Sequence, residues 1–410
     1  MSSRALAALF LLPLAPVARA SGEVPVERVQ LVATSIEGCA GLVFPHAPRE
    51  LYIDGNQAVD ASARFWELDR PAAYVHGRAT RRYRIGQGVL EVDAELSPDL
   101  DREVVRLSVA EPIAPEYLAT YLPGTSLPCE RTTTYTAERR PATRADLAAL
   151  ARFDAALHEA TERLYDSAFA ESETRLREAM GLRPADPAPY WMMARLRYLA
   201  LEGRASALSR AERIAGYEEA ESWADGAVAR APGRAEGYLW QAIAHGRIAT
   251  SAGSVSLAVR GWVGGRGPSW LEQTMRKAVS LPEDFRFFGF STRGDALHAL
   301  AQFYRLAPTG WYMRFVGTSG DLDRAIELSR EAVGLQPVRI EYRKELAVEL
   351  LCRGADGDSA EARAQLSQLA ALPAITAIDR IDRAHALAIL HEPSSSVCHY
   401  SRDAFRELGT

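Results

Sequence analysis

A triad of a small residue, an alanine seven positions on and a proline five further on recurs three times in this chain: Ser172, Ala179, Pro184; Ala220, Ala227, Pro232; and Ala325, Ala332, Pro337. A spacing of seven returns to the same face of a helix after two turns, and a proline stops the helix that precedes it. Each triad therefore marks a helix face that excludes bulk and a fixed helix end. Leu271, Ala278, Pro282 is a blurred copy, one residue short before its proline, and Ala362, Leu369, Pro373 is a weaker one. Apolar residues at helical spacing, with Pro or Gly between them, predict helices over 145–165, 169–182, 190–201, 217–231 and 236–250. Thr143 is placed to cap the first of these, with Asp146 at its third position.

The triads resemble tetratricopeptide (TPR) repeats, in which both small residues lie on the second helix of an antiparallel pair, where the first helix packs too close for a larger side chain. Tyr190-Trp191 follows six residues after Pro184, and Tyr238 six after Pro232, in phase with the aromatic that opens the first TPR helix. The proline-to-proline steps of 48, 50 and 55 residues exceed the roughly 34 of a regular TPR. Each unit is therefore expected to carry an insertion, an extra polar helix between Leu201 and Gly216 and Gly-rich apolar material over 251–268.

The run 217–390 is also similar to the TPR-like family of regulator of microtubule dynamics proteins, and to the periplasmic TPR proteins that accompany TRAP transporters. The residues that carry the likeness are Leu300-Ala301-Gln302-Phe303-Tyr304, Trp311-Tyr312-Met313-Arg314-Phe315 with Gly317, the helix over 322–337, and Leu372-Pro373-Ala374-Ile375-Thr376 with Asp379. The resemblance implies a non-catalytic binding role.

Ahead of the helices, residues 26–110 form short runs rich in Val, Ile, Tyr, Phe and Leu separated by Gly, Pro, Asp and Asn, which predicts a mainly antiparallel sheet domain. The runs are 29–36, 41–44, 51–53, 63–68, 73–85, 88–96 and 103–110. The Thr- and Arg-rich segment 130–141 reads as a linker. The expected organisation is a signal segment at 1–20, a β domain at 22–138 and an all-α TPR-like repeat solenoid at 143–410.

Export is expected from Arg4, the apolar run 5–14 and the small residues of Ala18-Arg19-Ala20. No stretch reaches the roughly 18 apolar residues of a membrane span. The net charge of −5 over 410 residues argues against a nucleic-acid surface. In an oxidising compartment the four cysteines, Cys39, Cys129, Cys352 and Cys398, are expected to pair. Three connectivities are open. Cys39 with Cys129 and Cys352 with Cys398 keeps each bond within a domain.

The groove positions that the TPR resemblance implies are Trp191, Arg195 and Tyr198, then Glu236, Leu239, Ile243 and Arg247, then Glu341 and Lys344. Aromatics and paired charges suit a protein or peptide partner lying along the first helices. A second expectation is an apolar ligand pocket among Trp262, Trp270, Phe303, Tyr304 and Trp311, in an aromatic-rich stretch that serves equally as core. An enzymatic activity of the β domain is a third reading. No catalytic motif, metal site or cofactor is expected. Gly264-Gly265-Arg266-Gly267 lacks the strand before it and the Lys-Ser/Thr after it that a phosphate loop needs. His391, Cys398, His399 and Cys352 match no zinc spacing, and His46 and His76 come with no nucleophile signature.

Overall fold

The computed structural model describes residues 25–39, 49–60, 72–85, 87–115, 118, 122, 125–204, 207–252, 265–281, 291–307, 319–372, 374, 377–389, 397–398 and 400. The signal segment, Trp262, Trp311 and the runs 41–44 and 63–68 lie outside them.

The β region closes on itself. Eight antiparallel strands follow one another around a barrel, β1 (Val26–Gly38), β2 (Arg49–Asp54), β3 (Gln57–Asp60), β4 (Ala72–Val75), β5 (Arg78–Ile85), β6 (Gly88–Leu96), β7 (Arg102–Glu111) and β8 (Cys129–Ala142). β8 pairs with β1 along its length, from Val26 opposite Ala142 to Gly38 opposite Arg131. Strand alternation puts Val29, Leu31, Leu51, Leu90, Val92, Val105 and Leu107 into one core. The run 73–85 is two strands rather than one. His76 and Gly77, with φ of 53° and 76°, form the two-residue turn between them, the backbone sign a tight hairpin requires. A Cβ on Gly77 would lie 2.6 Å from the carbonyl oxygen of Leu96.

The segment read as a linker is the closing strand β8. Its inward residues Arg131, Thr133 and Tyr135 are buried, and their polarity hid the strand. Cys129 at its start is bonded to Cys39, and Cys352 to Cys398, so both bonds stay within one region of the chain.

Eleven helices follow among the described residues: α1 (Arg144–Tyr165), α2 (Phe169–Leu182), α3 (Ala188–Glu202), α4 (Arg210–Arg230), α5 (Ala235–Ala252), α6 (Pro268–Ser280), α7 (Thr292–Leu306), α8 (Leu322–Leu335), α9 (Ile340–Arg353), α10 (Asp358–Ala370) and α11 (Ala377–Ile389). Thr143 caps α1: Asp146 N–H donates to its hydroxyl at 3.2 Å and Thr143 N–H donates back to the Asp146 carboxylate at 2.8 Å. Ser209 and Glu212 do the same for α4. The extra helix expected between 201 and 216 is absent among the described residues; the added length extends α4 backward to Arg210.

The triads lie where the repeat demands. Ser172 and Ala179 on α2, Ala220 and Ala227 on α4, Ala325 and Ala332 on α8, and the blurred pairs on α6 and α10 are all buried. Each is on the second helix of a pair. Each helix packs on the next in sequence. The first helices also touch one another, α3 to α5, α5 to α7, α7 to α9 and α9 to α11.

The barrel is fastened to the helices through the outer face of β2 and the start of β1. Val26 and Tyr52 share a core cluster with Phe153 and Leu157 of α1 and Met193 of α3. Glu50 accepts from Arg28 at 2.8 Å and from Arg183, at the end of α2, at 3.1 Å.

Candidate functional site: the layer of first helices

In α7, Asp295, His298, Gln302 and Arg305 repeat at intervals of three and four, so they form one stripe. That stripe faces α9. Tyr342 donates its hydroxyl to Asp295 at 2.5 Å, His298 lies 3.4 Å from Glu341, and Glu345 accepts from Gln302 at 3.2 Å and from Arg305 at 2.6 Å. Gly294 makes room for this contact, since a Cβ there would stand 2.9 Å from the Tyr342 hydroxyl oxygen. From α9, Lys344 reaches across to Asp382 of α11 at 2.8 Å, both side chains almost wholly buried. Burial works against the Glu345 charge, yet Arg305 holds its carboxyl below the ordinary value. One turn on, burial, and then the charge of Glu345, push the Glu349 carboxyl well up, outweighing Ser329 and the more distant Arg305.

Two residues beyond α11, Cys398 and Tyr400, meet this stripe. Arg305, its Nε fixed by Glu345, donates Nη1 to the Cys398 carbonyl and Nη2 to the Tyr400 carbonyl, each at 3.0 Å. The Tyr400 ring lies under the Lys344 ammonium, 5.0 Å from nitrogen to centroid, and its hydroxyl is 3.0 Å from His385 Nδ1.

Between α3 and α5 the pattern repeats in other residues. Arg247 meets Glu202 at 2.8 Å, and Glu202 also accepts from Tyr217 of α4 at 2.6 Å. Tyr198 packs on Trp240 and Tyr217, and Arg195 stacks on Tyr165. Of the expected groove residues, Trp191, Arg195, Tyr198, Glu236, Leu239 and Lys344 are buried between helices, while Ile243, Arg247 and Glu341 are half-buried. Arg247 pairs with Glu202 of α3, Glu341 lies 3.4 Å from His298 of α7, and Lys344 pairs with Asp382 of α11. Of the expected pocket residues, Tyr304 belongs to the core of α6 to α9, and Trp270 and Phe303 pack against it.

Two polar clusters went unmarked in the sequence. His245 of α5 is 3.0 Å from Glu221 and 2.9 Å from the Arg266 carbonyl, and Arg266 also pairs with Glu221 and Asp225. The Gly-rich stretch is thus tied down at Arg266. Inside the barrel, Arg49 donates to Asp60 at 2.7 Å and to Glu103 at 2.6 Å, and contacts the hydroxyls of Tyr74 and Tyr135. Arg131 lies 3.4 Å from Glu103. Burial raises the Glu103 carboxyl, but Arg49 and Arg131 bring it down to about 2. Strand parity was the available signal: Arg49 shares a face with Leu51, and Glu103 with Val105 and Leu107, all buried.

No family model matches the chain, and no curated protein matches it. Among solved structures, a thermophilic TPR protein from Thermus thermophilus is similar at 17% identity, covering 58% of this chain and 99% of its own, with a TM-score of 0.39. PilF of Pseudomonas aeruginosa is similar at 11% identity, over 61% of this chain and 89% of its own, with a TM-score of 0.34. MamA of Desulfovibrio magneticus is similar at 16% identity, over 53% of this chain and 93% of its own, with a TM-score of 0.28. No helix among the described residues is long and apolar enough to cross a membrane.

Proposed function

We propose that this chain is an exported, non-catalytic scaffold that binds a protein or peptide segment along the layer of its first helices. The carrying observation is the contact of α3, α5, α7, α9 and α11 with one another. Helix pairs whose first members approach more closely than their second members curve toward the first, which makes those helices the inner wall. Half-buried Ile243, Arg247, Gln302, Phe303 and Glu341 give that wall aromatic, charged and amide edges, of which Arg247 is held by Glu202, Gln302 by Glu345 and Glu341 by Arg339, so little side-chain entropy of these three is lost on binding. Two disulfides support an oxidising compartment.

The test is site-specific photocrosslinking in the native host, with the crosslinker at Gln302 or Arg247 and, as the control, at Arg177 on the outer face of α2. One protein trapped from the first two positions and not from the control is the expected result. Native mass spectrometry that finds a retained small molecule and no protein would overturn the reading in favour of an apolar-ligand binder.

A further inference from the structure

The inner wall at α7, α9 and α11 already holds a peptide, and the peptide belongs to the same chain. Arg305 is nearly inaccessible, and its Nε is committed to Glu345 at 2.6 Å. The two remaining nitrogens point the same way and donate to the main-chain carbonyls of Cys398 and Tyr400, two residues apart. A planar fork that reads main-chain oxygens recognises a conformation, whatever side chains it carries. Sequence preference comes from the neighbouring slot, where Lys344 covers the face of the Tyr400 ring and His385 meets its hydroxyl. Val397 is buried beside them. What keeps this segment in place is the bond from Cys398 to Cys352 at the end of α9. Both of these cysteines are half-buried; of the barrel bond, Cys129 is half-buried and Cys39 is buried.

We propose that the α7–α9–α11 surface is a binding site for a tyrosine-bearing protein segment, and that Val397, Cys398 and Tyr400 occupy it in cis until the Cys352–Cys398 bond is reduced. The inference rests on the scaffold reading and names the class of segment and the control of access. The opening step is thiol–disulfide exchange with a dithiol. One thiolate of the reductant attacks a sulfur of the pair and displaces the other as a thiolate, which takes up a proton. The reductant's second thiol then displaces the mixed disulfide. Two electrons pass to the protein, leaving two cysteine thiols and one oxidised dithiol.

The probe is a fluorescein-labelled peptide with the sequence of residues 395–402, serine replacing Cys398, followed by anisotropy against the full chain. Binding to a Cys352→Ser, Cys398→Ser double variant is expected to be at least tenfold tighter than to the oxidised chain. Adding Arg305→Lys, which keeps a cation for Glu345 but removes the fork, should weaken it tenfold again. The same peptide with alanine for Tyr400 should not bind. Equal affinity for the oxidised chain and the double variant, or none for either while circular dichroism shows the helices intact, overturns the proposal. A second measurement needs no substitution. On adding dithiol to the native chain, the Tyr400 amide, which donates to the Val397 carbonyl at 2.9 Å, should exchange faster while α7 and α9 stay protected. Unchanged exchange at Tyr400, or loss of protection throughout α7 and α9, counts against it. A partner crosslinked at Gln302 whose capture ignores the redox state would leave the scaffold standing and remove only the occlusion by the tail.

Discussion

Tyr190 donates its phenolic hydroxyl to the carbonyl of Pro184, six residues earlier, at 3.2 Å. Tyr238 makes the same bond to Pro232 at 3.2 Å, and Arg343 donates Nε to Pro337. In each case the first helix of one pair fastens the end of the second helix before it, where carbonyls lose their intrahelical partners. A cation covers each tyrosine, Arg230 over Tyr190 at 3.4 Å and Lys277 over Tyr238 at 4.2 Å. Tyr190→Phe and Tyr238→Phe keep the ring and lose the bond, and Tyr238→Phe also loses the one that Lys277 Nζ donates to its hydroxyl at 2.7 Å. Each should cost about 0.5–1 kcal/mol, with nearly additive effects in the double variant, measured by urea denaturation. Unchanged midpoints would show that the periodic bond does not stabilise the stack.

Glu103 carries the barrel's interior network, and its loss should be felt strongly. Glu103→Gln leaves Arg49 and Arg131 with less compensation in the core, at a cost of about 3–5 kcal/mol. The acid response has a definite sign. With a folded value of about 2 against an ordinary 4.5, the contribution of Glu103 is complete above about 4.5 and is lost as pH falls toward 2. Near-ultraviolet circular dichroism of the barrel tyrosines across that window checks it, and a signal indifferent to pH there would contradict the assignment.

Glu349 responds in the opposite sense. Its carboxyl is raised by burial and by Glu345, so its contribution is complete below the ordinary carboxylate value and is lost as pH rises through the raised folded value. Glu349→Gln should therefore match the parent in acid and exceed it in stability at alkaline pH. Thermal melts of both chains from acid to alkaline solution decide the matter; parallel curves would refute it.

The two disulfides close loops of different length. With separations of 90 and 46 residues, chain-entropy reasoning gives about 5 kcal/mol for Cys39–Cys129 and about 4 kcal/mol for Cys352–Cys398. Non-reducing peptide mapping should recover these two links, and the single-pair serine variants should rank in that order by denaturant midpoint.

The helix pairs could be read from sequence because their cause is local. A buried Ala227 or Ala332 has to be small, and a proline has to follow, wherever the rest of the chain goes. β8 could not be read in the same way: Arg131, Thr133 and Tyr135 look like a solvated segment until Glu103 and Arg49, far away in sequence, are placed opposite them. The candidate groove residues show both sides of this. Trp191 and Lys344 were placed by the TPR resemblance, but their burial depends on neighbouring helices that the resemblance does not report. Two of the readings that failed, the extra helix after Leu201 and the linker before α1, came from treating polar residues as unstructured or separate. Ser209 and Glu212 used that polarity to start a longer α4.

The pairing of Val26 with Ala142 brings the barrel's entrance and exit together, and this sets an order of events. Synthesis runs from the N-terminus, so the barrel can complete its last seam, and Cys39 can meet Cys129, before most of the helices exist. The first helix pair then grows from a finished wall, with Val26 and Tyr52 as its starting surface. Cys398 follows α11 in the chain, so its bond to Cys352 can form only after α9, α10 and α11 have been made.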